Sequence, residues 1–293
     1  MLKRPRHFLT SAQRAGHEEL FEAGNSIAIG HARKVVNNST NVVSLRNGAV
    51  LCRNVLRVLQ IVTIEALHKA ARFINLMGGC VRGAGGPTVT IEGVSGLHGC
   101  SFTPMPDRIV AGTLLCAAAI TRGEATLDNV RAGDLTDVID KLRMSGSRIE
   151  TGSGSIRIET PRVRAFRAST QPYPGFPTDM QAQMMALACT ACGTSMIVEN
   201  VFESRFNHAA QLTRMGADIW LHDRTAVICG GRLEGAHVSA RDLRGGAALV
   251  LAGLAARGET VVENAGVIDR GYERLEDMLG ALGADIERVR AVD

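Results

Sequence analysis

The sequence predicts an α/β protein built from a repeated helix-and-strand unit, and three features of the chain lead there. Glycine-led segments recur at residues 122–127, 192–197 and 257–262, and each is followed nearly in register by an asparagine, Asn129, Asn200 or Asn264. Counting from Gly123, Gly193 and Gly258, a second glycine (Gly146, Gly216, Gly283) follows after 23, 23 and 25 residues. Between the two glycines the apolar residues take helical spacing. Leu135, Val138, Ile139 and Leu142 fall at i, i+3, i+4 and i+7, as do Leu275, Met278, Leu279 and Leu282, which is the pattern of an amphipathic helix laid on a sheet.

Taken in order, the chain opens with a basic leader. Residues 1–46 hold seven basic side chains against three acidic ones, so the net charge of +4 sits there and the remainder is neutral. A secretory signal needs an apolar core of about 7–15 residues behind its basic start. None follows, and the leader is expected to be unassigned and poorly ordered. Residues 47–100 read as a partial copy of the unit: a helical stretch at 65–77, then Gly78 lying 68 residues before Gly146, then strand-like alternation at 88–92. Its first glycine, Gly48, stands 30 residues upstream, the segment 56–67 is unusually apolar, and no first helix is found in the leader.

Three fuller copies are expected at about 101–159, 172–232 and 237–293, together forming a domain at 101–293. In each, the second glycine suits the left-handed position that ends a helix. Alternation then resumes at Arg148-Ile149-Glu150, Asp218-Ile219-Trp220 and Asp285-Ile286-Glu287, which reads as a strand with one buried face, usually followed by a hairpin partner.

Composition narrows the function. The 293 residues are 45% hydrophobic and 21% charged, which excludes wholesale disorder. Aromatic residues are 4%, too few for the stacking platforms of a nucleic-acid binder. No apolar run approaches the ~18 residues of a membrane span. The seven cysteines are odd in number and scattered, which argues against a disulfide framework and for a reducing compartment. Cys189 and Cys192 spell C-x-x-C, but the preceding run from Met184 reads as a buried helix, so we take the pair as structural and expect no metal. Gly83-Ala84-Gly85-Gly86 lies between two β-like runs and is a loop before it is a phosphate cradle.

Three long segments occur in order: Phe176-Pro177-Thr178-Asp179-Met180-Gln181-Ala182-Gln183, Val201-Phe202-Glu203-Ser204-Arg205-Phe206 and Ile268-Asp269-Arg270-Gly271-Tyr272-Glu273-Arg274. With Pro106-Asp107-Arg108-Ile109, Asp242-Leu243-Arg244 and the C-terminal run from Leu282 to Val289, they resemble the UDP-N-acetylglucosamine 1-carboxyvinyltransferase family. The sister family, 5-enolpyruvylshikimate-3-phosphate synthase, shares the repeat but not the segment 176–183.

The resemblance runs from about residue 48 to the C-terminus and implies an inside-out α/β barrel of βαβαββ-type units. One domain of three units is complete and a remnant of the other lies at 47–100. It also implies transfer of the enolpyruvyl group of phosphoenolpyruvate to the 3′-hydroxyl of UDP-N-acetylglucosamine, the first committed step of peptidoglycan synthesis. Such a protein is cytoplasmic, needs no cofactor, and serves cell-wall growth and division.

Carried over residue by residue, Asp179 stands for the family carboxylate set against the acceptor hydroxyl, as base and sugar ligand. Val201 stands for a position whose backbone touches the UDP-sugar, Arg270 for the arginine that grips phosphoenolpyruvate, and Asp242 and Arg244 for a motif lining the same cleft. Arginine suits that task because its planar fork binds carboxylate or phosphate through two parallel hydrogen bonds. The family's proton-donor loop and its lysine-asparagine pair have no counterpart in this sequence. The resemblance therefore also leaves open a non-catalytic remnant, or one half of a split enzyme completed by a separate N-terminal chain, with weak binding and slow turnover alone. Each residue has a plainer reading too. Thr178 with Gln181 forms T-x-x-Q, a capping box, and Asp107, Asp179 and Asp242 all stand near expected helix starts, where a carboxylate is favoured by the helix dipole alone.

Overall fold

The computed structural model describes residues 36–38, 41–46, 64–84, 88–173 and 175–289. They fall into two compact units that divide between Met105 and Pro106.

In the smaller unit, β1 (Val36–Asn38) and β2 (Asn41–Arg46), both within the basic leader, form an antiparallel pair, while residues 1–35 lie outside the described residues. Helix α1 (Ile64–Leu76) follows, then β3 (Cys80–Arg82) and β4 (Thr88–Glu92), giving a sheet in the order β1-β2-β4-β3. Strand β2 runs parallel to β4 and β3 runs antiparallel to it. Leu67 and Ala71, four residues apart on α1, share a small core with Val81, Val89 and Ile91. Gly78 ends the helical stretch at φ +88°, and Gly83 and Ala84 lie in the expected loop between β3 and β4. Gly48, the segment 56–63 and Gly85-Gly86 lie outside the described residues.

The larger unit starts at α2 (Arg108–Ile120), capped by the Asp107 carboxylate, which accepts from the backbone N–H groups of Ile109 at 2.7 Å and Val110 at 3.1 Å. Next come β5 (Glu124–Asp128), α3 (Thr136–Met144) and the hairpin β6 (Arg148–Thr151) and β7 (Ser155–Glu159), in an antiparallel sheet ordered β5-β7-β6. The expected face appears. Ile156 and Ile158 are fully buried, while Arg157 between them points outward and pairs with Glu124 at 2.7 Å.

The succession then repeats with a strand in front. Strand β8 (Arg167–Ser169), a 3-10 turn (Thr178–Met180), α4 (Gln181–Cys189), β9 (Thr194–Val198), α5 (Ala209–Arg214), β10 (Asp218–His222) and β11 (Thr225–Cys229) form a sheet ordered β10-β11-β9-β8. Its parallel pair is β8 with β9, joined through α4. Because β8 precedes residue 172, this copy begins a strand earlier than the sequence spacing indicated. On β10, Trp220, the single tryptophan of the chain, is 70% exposed.

The third succession is β12 (His237–Ser239), α6 (Leu243–Ala255), β13 (Val261–Glu263), a 3-10 turn (Ala265–Arg270) and α7 (Leu275–Ala281), with β12 parallel to β13. Here one expectation fails. Residues 285–287 form no strand and pair with neither β12 nor β13. Arg288 instead binds Asp269 through two hydrogen bonds of 2.7 and 2.8 Å and reaches Glu276 at 2.8 Å, which draws this segment onto the turn before α7.

Helices α2, α4 and α6, one from each succession, pack on one another, and all nine residues of α4 are buried. Glycines let the 3-10 turns seat against two of these helices: a Cβ on Gly112 of α2 would stand 2.8 Å from the Met180 sulfur, and one on Gly246 of α6 would stand 2.8 Å from Ile268. Cys189 is buried at the end of α4, whereas Cys192 is exposed near Arg162, and no metal-binding cluster exists among the described residues. No helix among them is long and apolar enough to cross a membrane.

Gly146 ends α3 at φ +100°, and a Cβ there would lie 2.5 Å from the Arg162 carbonyl oxygen. Gly146→Ala adds a left-handed penalty of about 1–2 kcal/mol to a backbone clash. We expect a loss of at least ~2 kcal/mol in urea unfolding followed by circular dichroism.

Candidate functional site

The three acidic helix-start residues part company in the structure. Asp107 caps α2, and Asp242 caps α6 by accepting from the Gly245 N–H at 2.7 Å, so both do what a helix start asks of a carboxylate. Asp179 does not. It lies in the 3-10 turn before α4, makes no cap hydrogen bond, and meets two guanidinium groups: Arg205 at 2.6 Å on one oxygen and Arg244 at 3.3 Å on the other.

The capping box suggested by T-x-x-Q is not formed either. The Thr178 hydroxyl donates to Glu199 at 2.8 Å and accepts from Arg205 at 2.7 Å, so it faces the carboxylate cluster and not the first turn of α4. Glu199, at the end of β9, is 1% exposed and accepts four hydrogen bonds. The hydroxyls of Thr170 and Thr178 each donate to it at 2.8 Å, and the backbone N–H groups of Val201 and Phe202 donate at 2.9 and 3.1 Å. Four donors satisfy a buried carboxylate without a cation.

On the far side of Asp179, the Arg244 guanidinium lies 5.5 Å from the centre of the Tyr272 ring, a cation–π distance. The Tyr272 hydroxyl is buried and shares hydrogen bonds with Thr113 of α2 at 2.9 Å and Gln183 of α4 at 3.2 Å, while Gln183 also donates to Thr113 at 3.1 Å. Each of the three successions thus gives one polar side chain to this knot. Arg205 similarly rests over the Phe202 ring at 4.9 Å.

Two permanent positive charges thus meet directly on one carboxylate, with the Asp179 side chain 39% exposed. Burial works to raise the Asp179 carboxyl, but the charge of Arg244 and the hydrogen bond and charge of Arg205 outweigh it and hold it below its ordinary value. Asp179 is therefore ionised in the free protein.

The other residues named from the sequence are placed less closely. Val201 is partly exposed, its N–H committed to Glu199. Arg270 ends the 3-10 turn, exposed and without an ion pair among the described residues. It is two residues before Tyr272, and the intervening Gly271 approaches Arg244, whose Nη1 would lie 3.4 Å from a Cβ there. Reasoning on the sequence gave no role to Arg205, Glu199, Thr113, Gln183 or Tyr272. Arg205 and Tyr272 stand inside quoted motifs, and Thr113 is a lone hydroxyl in an apolar helical run, which are the signals available for them.

His208, buried beside Gly245, completes the surroundings. Burial pushes its imidazole down to about 4, with Asp242 raising it and Arg205 lowering it. The folded protein therefore keeps His208 neutral where an unfolded chain, near 6.5, takes up a proton, so stability falls as pH drops from about 6.5 towards 4. Acidification from pH 7 to pH 5 should cost the native protein on the order of 2 kcal/mol more than a His208→Gln variant, read from urea unfolding at both pH values.

Comparison with known proteins bears on this arrangement. A family model described as EPSP synthase (3-phosphoshikimate 1-carboxyvinyltransferase) matches residues 48–279. Curated relatives include UDP-N-acetylglucosamine 1-carboxyvinyltransferase 2 of Caldanaerobacter subterraneus, 47% identical over 84% of this chain and 58% of its own length. The enzyme numbered 1 of the same organism is 50% identical over 74% of this chain and 53% of its own length. The chain spans a little over half the length of these two relatives. The UDP-N-acetylglucosamine 1-carboxyvinyltransferase of Nitratidesulfovibrio vulgaris is 43% identical over 96% of this chain and 69% of its own length.

Among solved structures, the enolpyruvyl transferase NikO from Streptomyces tendae has a TM-score of 0.67 at 26% identity, covering 77% of this chain and 55% of that one. EPSP synthase from Acinetobacter baumannii, at 18% identity and a TM-score of 0.58 over 75% of this chain and 55% of its own, shares the α/β fold. With a family model running along most of the sequence and a relative 43% identical over nearly all of it, this chain belongs to the EPSP synthase family of enolpyruvyl transferases.

Proposed function

We propose that this chain carries one wall of an active site that transfers the enolpyruvyl group of phosphoenolpyruvate to the 3′-hydroxyl of UDP-N-acetylglucosamine, the first committed step of peptidoglycan synthesis in the cytoplasm. The observation that carries the reading is the Asp179 carboxylate, part-exposed and bracketed by Arg205 and Arg244 while its two sister aspartates cap helices. Relatives named for this reaction favour an enzyme over a non-catalytic remnant. In the same reading the larger unit is an inside-out barrel, with α2, α4 and α6 inside and the sheets outside, and residues 101–293 form the second domain of the family while 47–100 belong to the first. The full burial of α4 between α2 and α6 supports it.

The chemistry follows from the residue types. Addition joins the sugar oxygen to the central carbon of phosphoenolpyruvate, while the hydroxyl gives up its proton and the methylene carbon gains one. Elimination then breaks the bond to phosphate and removes a proton to restore the double bond. Asp179 receives the hydroxyl proton. With two guanidinium groups upon it the carboxylate is ionised, the form able to accept. Transfer grows more favourable as Arg244, with Arg270, turns to the carboxylate and phosphate of the donor and loosens its hold on Asp179. The backbone at Val201 lies against the sugar nucleotide, and Asp242 keeps the start of α6, hence Arg244, in place. No cofactor or metal enters any of these steps.

Calorimetric titration of the full chain with UDP-N-acetylglucosamine tests the reading. We expect binding that weakens at least about tenfold, or ~1.4 kcal/mol, in Asp179→Asn, with circular dichroism showing both proteins folded. Absence of binding to the native chain at millimolar sugar nucleotide, or equal affinity in the variant, overturns it.

A further inference from the structure

We propose that Glu199 is a positioning residue which, acting through the Thr178 hydroxyl, sets Arg205 against Asp179. Its consequence for ligand binding rests on the function proposed above, whereas the positioning itself does not. The geometry leaves the hydroxyl little choice. A threonine hydroxyl has one proton to give, and here it goes to Glu199 Oε2 at 2.8 Å, so the lone pairs of Thr178 Oγ1 are left to face Arg205 Nη1 at 2.7 Å. Arg205 Nη2 is then delivered to Asp179 Oδ1 at 2.6 Å.

Glu199 is itself pinned. Its Oε1 takes the Thr170 hydroxyl and the N–H groups of Val201 and Phe202, and the last two open the segment that leads to Arg205. One buried carboxylate thereby fixes both the base of the arginine's segment and the acceptor at its tip. A buried glutamate with no cation partner among the described residues is costly unless donors surround it, and three of its four donors come from the two segments that meet at Asp179. The charged groups facing Asp179 are Arg205 and Arg244.

Glu199→Gln turns one acceptor oxygen into an N–H donor. If that donor faces Thr178, the hydroxyl must accept from it and its own proton loses its partner. If it faces the other way, it meets the N–H groups of Val201 and Phe202. Thr178→Val removes the hydroxyl and keeps the shape, and Thr178→Ser restores the hydroxyl without the methyl group.

The test follows the Asp179 side-chain carboxyl by 13C NMR during acid titration of the full chain, without ligand, and then measures UDP-N-acetylglucosamine affinity. In Glu199→Gln and in Thr178→Val the Asp179 midpoint should rise by about half a unit or more towards the ordinary carboxylate range, and in Thr178→Ser it should return close to the native value. Affinity should fall about fivefold in the first two and recover in the third, and the Glu199→Gln/Thr178→Val double variant should be no worse than either single one. A merely structural role would lower thermal stability without moving the Asp179 midpoint. An unmoved midpoint in folded Thr178→Val overturns the proposal, and this holds even where Glu199→Gln fails to fold. A midpoint that moves in a protein that binds no sugar nucleotide upholds the positioning and overturns the function instead.

Discussion

Two guanidinium groups cannot share a half-buried site without a counter-charge, and the arrangement around Asp179 is organised by that constraint. Arg205 comes from the segment after β9, and Arg244 from the first turn of α6. These are different successions of the fold, and the carboxylate that joins them sits at the head of α4. Removing the negative charge leaves two cations facing each other with burial working against both. The packing that sets the heads of α4 and α6 beside the segment after β9 is therefore a condition of the site and not only of stability.

Behind each arginine stands a neutral or fully satisfied polar group. Arg205 is backed by Thr178 and the saturated carboxylate of Glu199, and Arg244 by the Tyr272 ring with its hydroxyl bound to Thr113 and Gln183. This division is physically sensible. A second free charge near either arginine would compete with Asp179 for it, whereas hydroxyls, amides and an aromatic face steer a guanidinium without neutralising it.

The α/β character was legible in the sequence because it rests on local chemistry: glycines that adopt positive φ after helices, helical spacing of apolar residues, and alternation in the strands that follow. Its limits have the same origin. Residues 285–287 alternate like a strand, yet alternation alone supplies no pairing neighbour, and the adjoining Arg288 is bound to Asp269 and Glu276 instead. In the site, Asp179 was singled out by its motif while its spacing from the repeat glycine said only that it stands near a helix start. The partners that separate it from Asp107 and Asp242 lie 26 and 65 residues away along the chain, and no local pattern announces them. Glu199 was invisible for a stronger reason. A glutamate closing a strand reads as solvated, and only the convergence of two hydroxyls and two amides shows it to be buried.

The lone tryptophan bears on how this protein is watched in solution. Trp220 sits outward on β10, with its indole N–H bonded to Asp218 two residues away, while the packed interior of the larger unit is mostly aliphatic, alanine and methionine side chains, with Phe166, Phe176 and Tyr272 as its buried aromatic rings. Tryptophan emission therefore reports on one edge hairpin and its contact with water, with little change when the centre melts. A signal from the peptide backbone or from the Tyr272 ring is the faithful reporter of collapse.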